Sequence, residues 1–215
     1  MSAWQEANGF EPTGVLTTRQ RATLVTNHAA DLAEFGFESV TEAEAGIEIT
    51  LPLSLVAFDH YEPPFVHFAE KDGSGLRVLL ISEPGGPEAL AGLYDILQTL
   101  EAVPETGERS LGDTSFTIQA ASSKLESLAF AETRDGMVKG YLAVWNPADA
   151  ARMERILPVL QSSFRAVGGK ALDPGLVPME KAALSGMLSG LELRKPARVA
   201  SGVFVDEIGH VATAL

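Results

Sequence analysis

Ile47, Ile49, Leu51, Leu53 and Leu55 alternate with Glu48, Thr50, Pro52 and Ser54. Period two over nine residues predicts a strand with one buried face. Pro52 has no N–H to give to a ladder, so that side of the strand is expected to be a sheet edge or a bulge. Upstream the period changes. Leu24, Val25, Ala29, Leu32 and Phe35 fall at helical spacing behind Thr17 and Gln20, which have the spacing of a capping box. Gly36 supplies a left-handed stop, so a helix is predicted over 18–35. Before it, "EPTG" at 11–14 reads as a turn.

Downstream, two apolar runs in "PPFVHFAEKDGSGLRVLLISE" flank "KDGSG" and predict a hairpin with Gly73 and Gly75 in its turn. "GGPEALAGLYDILQTL" predicts a helix, with Pro87 in its first turn and Leu90, Leu93, Leu97 and Leu100 as its stripe. "ERSLGDTSFTIQAA" continues the sheet, and "LAFAET" and "VKGYLAVW" pair through Asp135-Gly136. Asn146 and Pro147 suit the cap and first residue of a last helix, whose inner face is Met153, Ile156, Leu157, Leu160 and Phe164. Trp145 is expected to pack beneath it. Pro158 lies inside this helix and predicts a kink or an early end. Residues 168–198 are rich in Gly and Pro, with a short helical stretch near 178–188. Their leucines predict a connector packed along the preceding domain. The closing "SGVFVDEIGHVATAL" reads as strand, turn, strand. The fold class expected is α+β: an antiparallel sheet with helices on one face, preceded by a helix and followed by a connector and a terminal β-hairpin.

Composition narrows the partners. In 215 residues, 46% are hydrophobic and 21% charged, the balance of a chain with a packed core. The formal net charge of −13 repels phosphate backbones and anionic lipid, which argues against nucleic acid and membrane surfaces. There is no cysteine, which excludes disulfides, thiolate metal sites and cysteine nucleophiles. No apolar run is long enough to span a bilayer. "MSAWQEANGF" lacks the basic start and apolar stretch of a secretory signal.

The polar stretch "FDHYEPP" is expected to be a loop between strands, and loops on rigid scaffolds carry function. Asp59, His60, Tyr61 and Glu62, with His67 in the following strand, are the candidate binding residues. The competing reading is a solvated loop beside an ordinary strand histidine. An enzymatic alternative places chemistry at Asp59, His60 and Glu62 beside His67. His28 lies beside the apolar face of the first helix and is expected to be a packed or half-exposed histidine, not a functional one. Zincin spacing, phosphate-binding glycine loops and the nucleophile elbow are all absent, so no catalytic residue, metal ligand or cofactor is assigned. Arg194, Lys195 and Arg198 form the basic cluster, expected to pair with acidic surface of the adjacent domain.

Three stretches resemble known families. "WQEANGFEPTGVLTTRQRATL" resembles the second half of a peptidoglycan-binding-like domain through Trp4-Gln5, Gly9-Phe10, Thr13-Gly14, Leu16 and Leu24. Residues from about Phe37 to Val167 resemble the PsbP-like fold in their order of elements. That family comprises binding or assembly modules, not enzymes. "SGVFVDEIGHVATAL" resembles the opening hairpin of a trypsin/HtrA-like protease domain through Ser201-Gly202, Val203-Phe204-Val205, Gly209, Val211, Thr213 and Ala214. In that family the catalytic histidine follows the Thr-x-Ala triplet, which here corresponds to the position after Leu215, so His210 is a bystander. These resemblances imply four segments: 1–36 peptidoglycan-binding-like, 37–167 PsbP-like, 168–198 connector and 199–215 the start of a trypsin-like domain. They imply the noncatalytic binding and positioning region of a modular serine protease of the bacterial envelope. Its location would be the periplasm, and a protein or a cell-wall component its partner. The alternative they leave open is a free-standing PsbP-like protein-binding or assembly module.

Overall fold

Val78 to Ser82 in β5 (Arg77–Pro84) and Val138 to Trp145 in β9 (Met137–Trp145) are buried without a break. Successive strand residues point to opposite faces, so such runs require a cover on both sides. β5 and β9 are neighbours near the middle of a seven-stranded antiparallel sheet. Its order is β3 (Val56–Glu62), β4 (Phe65–Glu70), β5, β9, β8 (Glu126–Arg134), β7 (Ser115–Ala121) and β6 (Gly107–Leu111). The computed structural model describes residues 1–173, 193 and 194, 202–204 and 211–213, without side chains at 32, 202–204 and 211–213.

One face of the sheet presents Val66, Val78, Leu80, Tyr141, Ala143 and Trp145. It is covered by α4 (Ala150–Ser163), through Met153, Ile156 and Leu160, and by a three-stranded sheet. In that sheet β2 (Ile47–Pro52) lies between β1 (Phe37–Glu42) and β10 (Arg165–Ala166) and contributes Ile47, Ile49 and Leu51. The other face presents Leu79, Ile81, Ile118, Leu142 and Val144 to α3 (Pro87–Leu97), whose Leu90, Leu93 and Leu97 are buried as the leucine stripe predicts. The α+β class and the antiparallel sheet are as expected. The expectation of helices on a single face is corrected, because the apolar runs of β5 and β9 supply both faces.

Local chemistry explains the remaining elements. α2 (Thr18–Phe35) starts with the expected capping box: Thr17 N donates to Gln20 Oε1 at 2.9 Å, and Gln20 N to Thr17 Oγ1 at 3.2 Å. A short α1 (Ser2–Ala7) precedes it and carries Gln5, a fully buried amide. Gln5 Nε2 donates to Val15 O (3.0 Å) and Gln20 Oε1 (3.2 Å), and its Oε1 accepts from Gly14 N (2.7 Å). Pro52 ends β2, beyond the two residues that β10 pairs. α4 continues past Pro158 to Ser163. Pro158 is exposed, as is Glu154, whose carbonyl loses its helical donor and can be hydrated. The Asp135-Gly136 turn has φ of 53° and 75°, the paired positive values of a tight hairpin.

Past α4, Leu172, Leu193 and Arg194 contact the domain. Leu172 is buried in the first core. Leu193 bridges to Leu100, and Arg194 donates to Glu105 Oε1 (3.0 Å) and to the carbonyl of Val103 (2.6 Å). The expected pairing of the basic cluster with acidic surface is therefore met at Arg194. Lys195, Arg198, His210 and the helical stretch near 178–188 lie outside the described residues. β11 (Gly202–Phe204) pairs antiparallel with β12 (Val211–Thr213), Val203 opposite Ala212, so the two strands expected of this stretch are formed, while the turn expected between them lies outside the described residues. Among the described residues no helix is long and apolar enough to cross a membrane.

Candidate functional site

"VAFDHYE" is a strand, not the loop expected: it is β3, the edge of the large sheet. Its polar residues hide the strand period because the ladder slips by one residue. Phe58 pairs with Phe68, but His60 pairs with His67, leaving Asp59 as a β-bulge. The Glu62–Phe65 turn, Pro63-Pro64 with a cis peptide bond between them, closes the hairpin. The slip sorts the side chains by face. Phe58 and Tyr61 turn toward the first core, where Phe58 lies 5.0 Å from the Tyr61 ring and 6.0 Å from that of Phe68. His60 and Glu62 turn to the opposite face, beside His67.

On that face three potential ligand atoms converge. Glu62 Oε2 lies 3.3 Å from His67 Nε2 and 3.7 Å from His60 Nε2. The two imidazole rings stack at 4.3 Å, 12° from parallel. Asp59 Oδ2 sits 2.9 Å from His60 Nδ1, on the far side of the ring from Glu62. His60 is half exposed, whereas the side chains of Glu62 and His67 are only 14% and 12% exposed. Burial, and then the neighbouring His60, lower the pKa of His67, against the raising pull of Glu62 and Asp59. Four of the five candidate residues, Asp59, His60, Glu62 and His67, are thus brought together. Tyr61 is not: its hydroxyl donates to Glu42 Oε1 at 3.1 Å on the other face, and burial followed by Glu42 raises its pKa. His28 is exposed on α2, where a packed or half-exposed side chain was expected.

The face of Tyr61 carries a second feature. A groove of about 640 Å³ runs between β1 and β3, which are edge strands of their respective sheets. Val40, Phe58, Tyr61 and Phe68 give it an apolar lining; Glu38 and Glu42 add acid, and Lys71 is also part of its wall. Phe58 is 49% exposed there. The loop expectation concealed this groove, because only a strand at 56–62 places Phe58 and Tyr61 on one side.

Lys139 is a further residue that motif reasoning passes over. It is 2% exposed and donates to Ser82 Oγ at 2.7 Å and to the carbonyls of Ala45 and Lys170. Burial lowers its pKa to about 8. Its signal was available in "VKGYLAVW": Lys139 shares strand parity with Tyr141, Ala143 and Trp145 and so points into the first core.

No family model and no curated protein sequence matches this chain. Among solved structures it is similar to cyanobacterial PsbP (CyanoP) from Synechocystis sp. PCC 6803, at 13% identity and a TM-score of 0.43, over 60% of this chain and 92% of that one. It is also similar to the Saccharomyces cerevisiae Ran-binding protein Mog1p, at 9% identity and a TM-score of 0.42, over 66% of this chain and 98% of that one. At these values the likeness is one of α+β fold and assigns no partner.

Proposed function

We propose that this chain is a noncatalytic protein-binding module whose groove between β1 and β3 takes an extended, basic segment of a partner protein. The groove is the observation that carries this reading. It joins an apolar lining to acidic side chains, in a chain of net charge −13. The exposed Phe58 offers an aromatic contact, and the edge of β3, which pairs only with β4 among the described residues, offers backbone donors and acceptors to an added strand. Electrostatic complementarity then selects lysine- and arginine-bearing segments. Panning a random displayed peptide library against the chain tests this. Enriched peptides should alternate apolar with basic residues, weaken with salt and lose binding to the Phe58→Asp variant. Absence of enrichment, or binders indifferent to Phe58→Asp, overturns it. Peptide cleavage that copurifies with the chain and survives repurification overturns the noncatalytic part.

The wider setting we propose is the binding and positioning region of a trypsin-like serine protease of the bacterial envelope. The support is the residue pattern of Ser201–Ala214, together with the peptidoglycan-binding-like pattern in which Gln5 ties Gly14, Val15 and Gln20 together. The adjoining reading frame tests it. A histidine codon directly after Leu215, followed later by a Gly-Asp-Ser-Gly-like motif, supports the setting and a periplasmic placement. A stop codon there leaves the free-standing module.

A further inference from the structure

We infer that His60, Glu62 and His67 form a binding site for a divalent transition metal of the zinc type, on the face of β3 and β4 opposite the proposed peptide groove. Three features combine. First, the donor set is two imidazoles and one carboxylate, the borderline nitrogen and oxygen ligands that Zn²⁺ takes, with three protein ligands leaving a coordination position for water or a further group.

Second, the spacing fits one ion. Ligand atoms on a tetrahedral Zn²⁺ with bonds of about 2.0–2.2 Å stand about 3.3–3.5 Å apart. Glu62 Oε2 is 3.3 Å from His67 Nε2 and 3.7 Å from His60 Nε2, and all three donors lie within 4.8 Å of one another. The two rings, now 12° from parallel, must fan apart to aim both Nε2 lone pairs at a shared ion. His60, half exposed on an edge strand, has room to make that turn.

Third, Asp59 Oδ2 at 2.9 Å from His60 Nδ1 is the arrangement that fixes the tautomer of a liganding histidine and leaves Nε2 free for metal. The bulged residue is thus the outer carboxylate, and the register slip it causes is what carries His60 and Glu62 onto the face of His67. Two carboxylates offset the positive charge of Arg77, which also acts on His67.

The full chain, stripped with chelator and exchanged into metal-free buffer, is titrated with ZnCl₂ in competition with a chromogenic zinc indicator. One ion per chain is expected. His60→Ala and His67→Ala should each abolish competition with the indicator, Asp59→Asn should weaken binding about 10- to 100-fold, and His28→Ala should leave it unchanged. Saturating ZnCl₂ should raise the Tm of the parent chain and not that of Glu62→Gln. Glu62→Gln and Asp59→Asn preserve side-chain size, so they keep the test decisive where an alanine variant fails to fold. The proposal is overturned if the parent chain binds Zn²⁺ no more tightly than the His60→Ala/His67→Ala double variant. It is overturned equally if His28→Ala removes the binding, or if Asp59→Asn and Glu62→Gln both bind as the parent does. None of these outcomes depends on the peptide groove.

Discussion

The Arg155 guanidinium lies 4.6 Å from the centre of the Phe35 ring, so a cation on α4 caps the last residue of α2. The same group donates to Asp31 Oδ1 at 2.9 Å and to Glu34 Oε2 at 2.8 Å. Phe35 itself is fully buried in the first core, so α2 is fastened at its C-terminal end to the sheet domain. Arg155 is partly exposed, which keeps each ion pair to about 1 kcal/mol or less and the cation–π contact to about 0.5–1 kcal/mol. Arg155→Ala should therefore lower stability in urea by about 1–2 kcal/mol and speed amide exchange across 18–34. Phe35→Ala should cost about 3–5 kcal/mol.

At the other end of α2, Thr17→Ala removes one half of the capping box and should cost about 0.5–2 kcal/mol. Gln5→Ala should cost more. It leaves Gly14 N, Val15 O and Gln20 Oε1 without the amide that binds all three. Thermal melts of the two variants check this order.

Lys139 predicts a pH dependence with a definite direction. Its pKa is about 8 in the folded chain and about 10.4 when unfolded. Between those values the unfolded chain keeps a proton that the folded chain has released, so this group makes stability rise with pH, and its contribution is lost as pH falls through about 8. Tyr141 acts in the opposite sense higher up. Burial raises its pKa to about 12, so from about pH 10 upward the unfolded chain ionises first and stability falls. Urea unfolding of the parent chain and of Lys139→Met should show a stability difference that climbs in the parent's favour between pH 8 and 10. A flat difference would mean that Lys139 keeps its ordinary pKa.

Gly140 holds β8 and β9 together at close range. A Cβ at this position would stand 2.2 Å from Phe130 O and 2.6 Å from Ala131 Cβ. Gly140→Ala forces apart two central strands and should destabilise by about 1–3 kcal/mol, the range of an overpacked core. Gly136→Ala meets no neighbour within 4 Å and carries only the strain of its φ of 75°, so its effect should be smaller. Chemical denaturation of the pair separates packing from backbone strain.

Elements governed by near neighbours were legible in the chain. The 18–35 helix is set by Thr17, Gln20 and Gly36, the hairpin turn by Asp135-Gly136 and α3 by its leucine spacing. These depend on residues within a few positions of one another, and the structure forms each of them. The same sequence pattern proposed Asp59, His60, Tyr61 and Glu62, on a loop, with His67 in the following strand, and the structure gathers all but Tyr61.

What tertiary structure alone decided is which side each residue faces and what lies across from it. A single slipped residue at Asp59 sends Tyr61 to a groove and His60 to His67, and strand period carries no mark of that slip because it depends on pairing with β4. The covers on both faces of β5 and β9, and the three oxygens around Lys139, likewise come from segments 37–170 brought together over distances that local periodicity does not encode. Sequence set the helices, the turns and the apolar faces through short-range sterics and hydrogen bonding. Register and sheet order, fixed by long-range burial, made the sites.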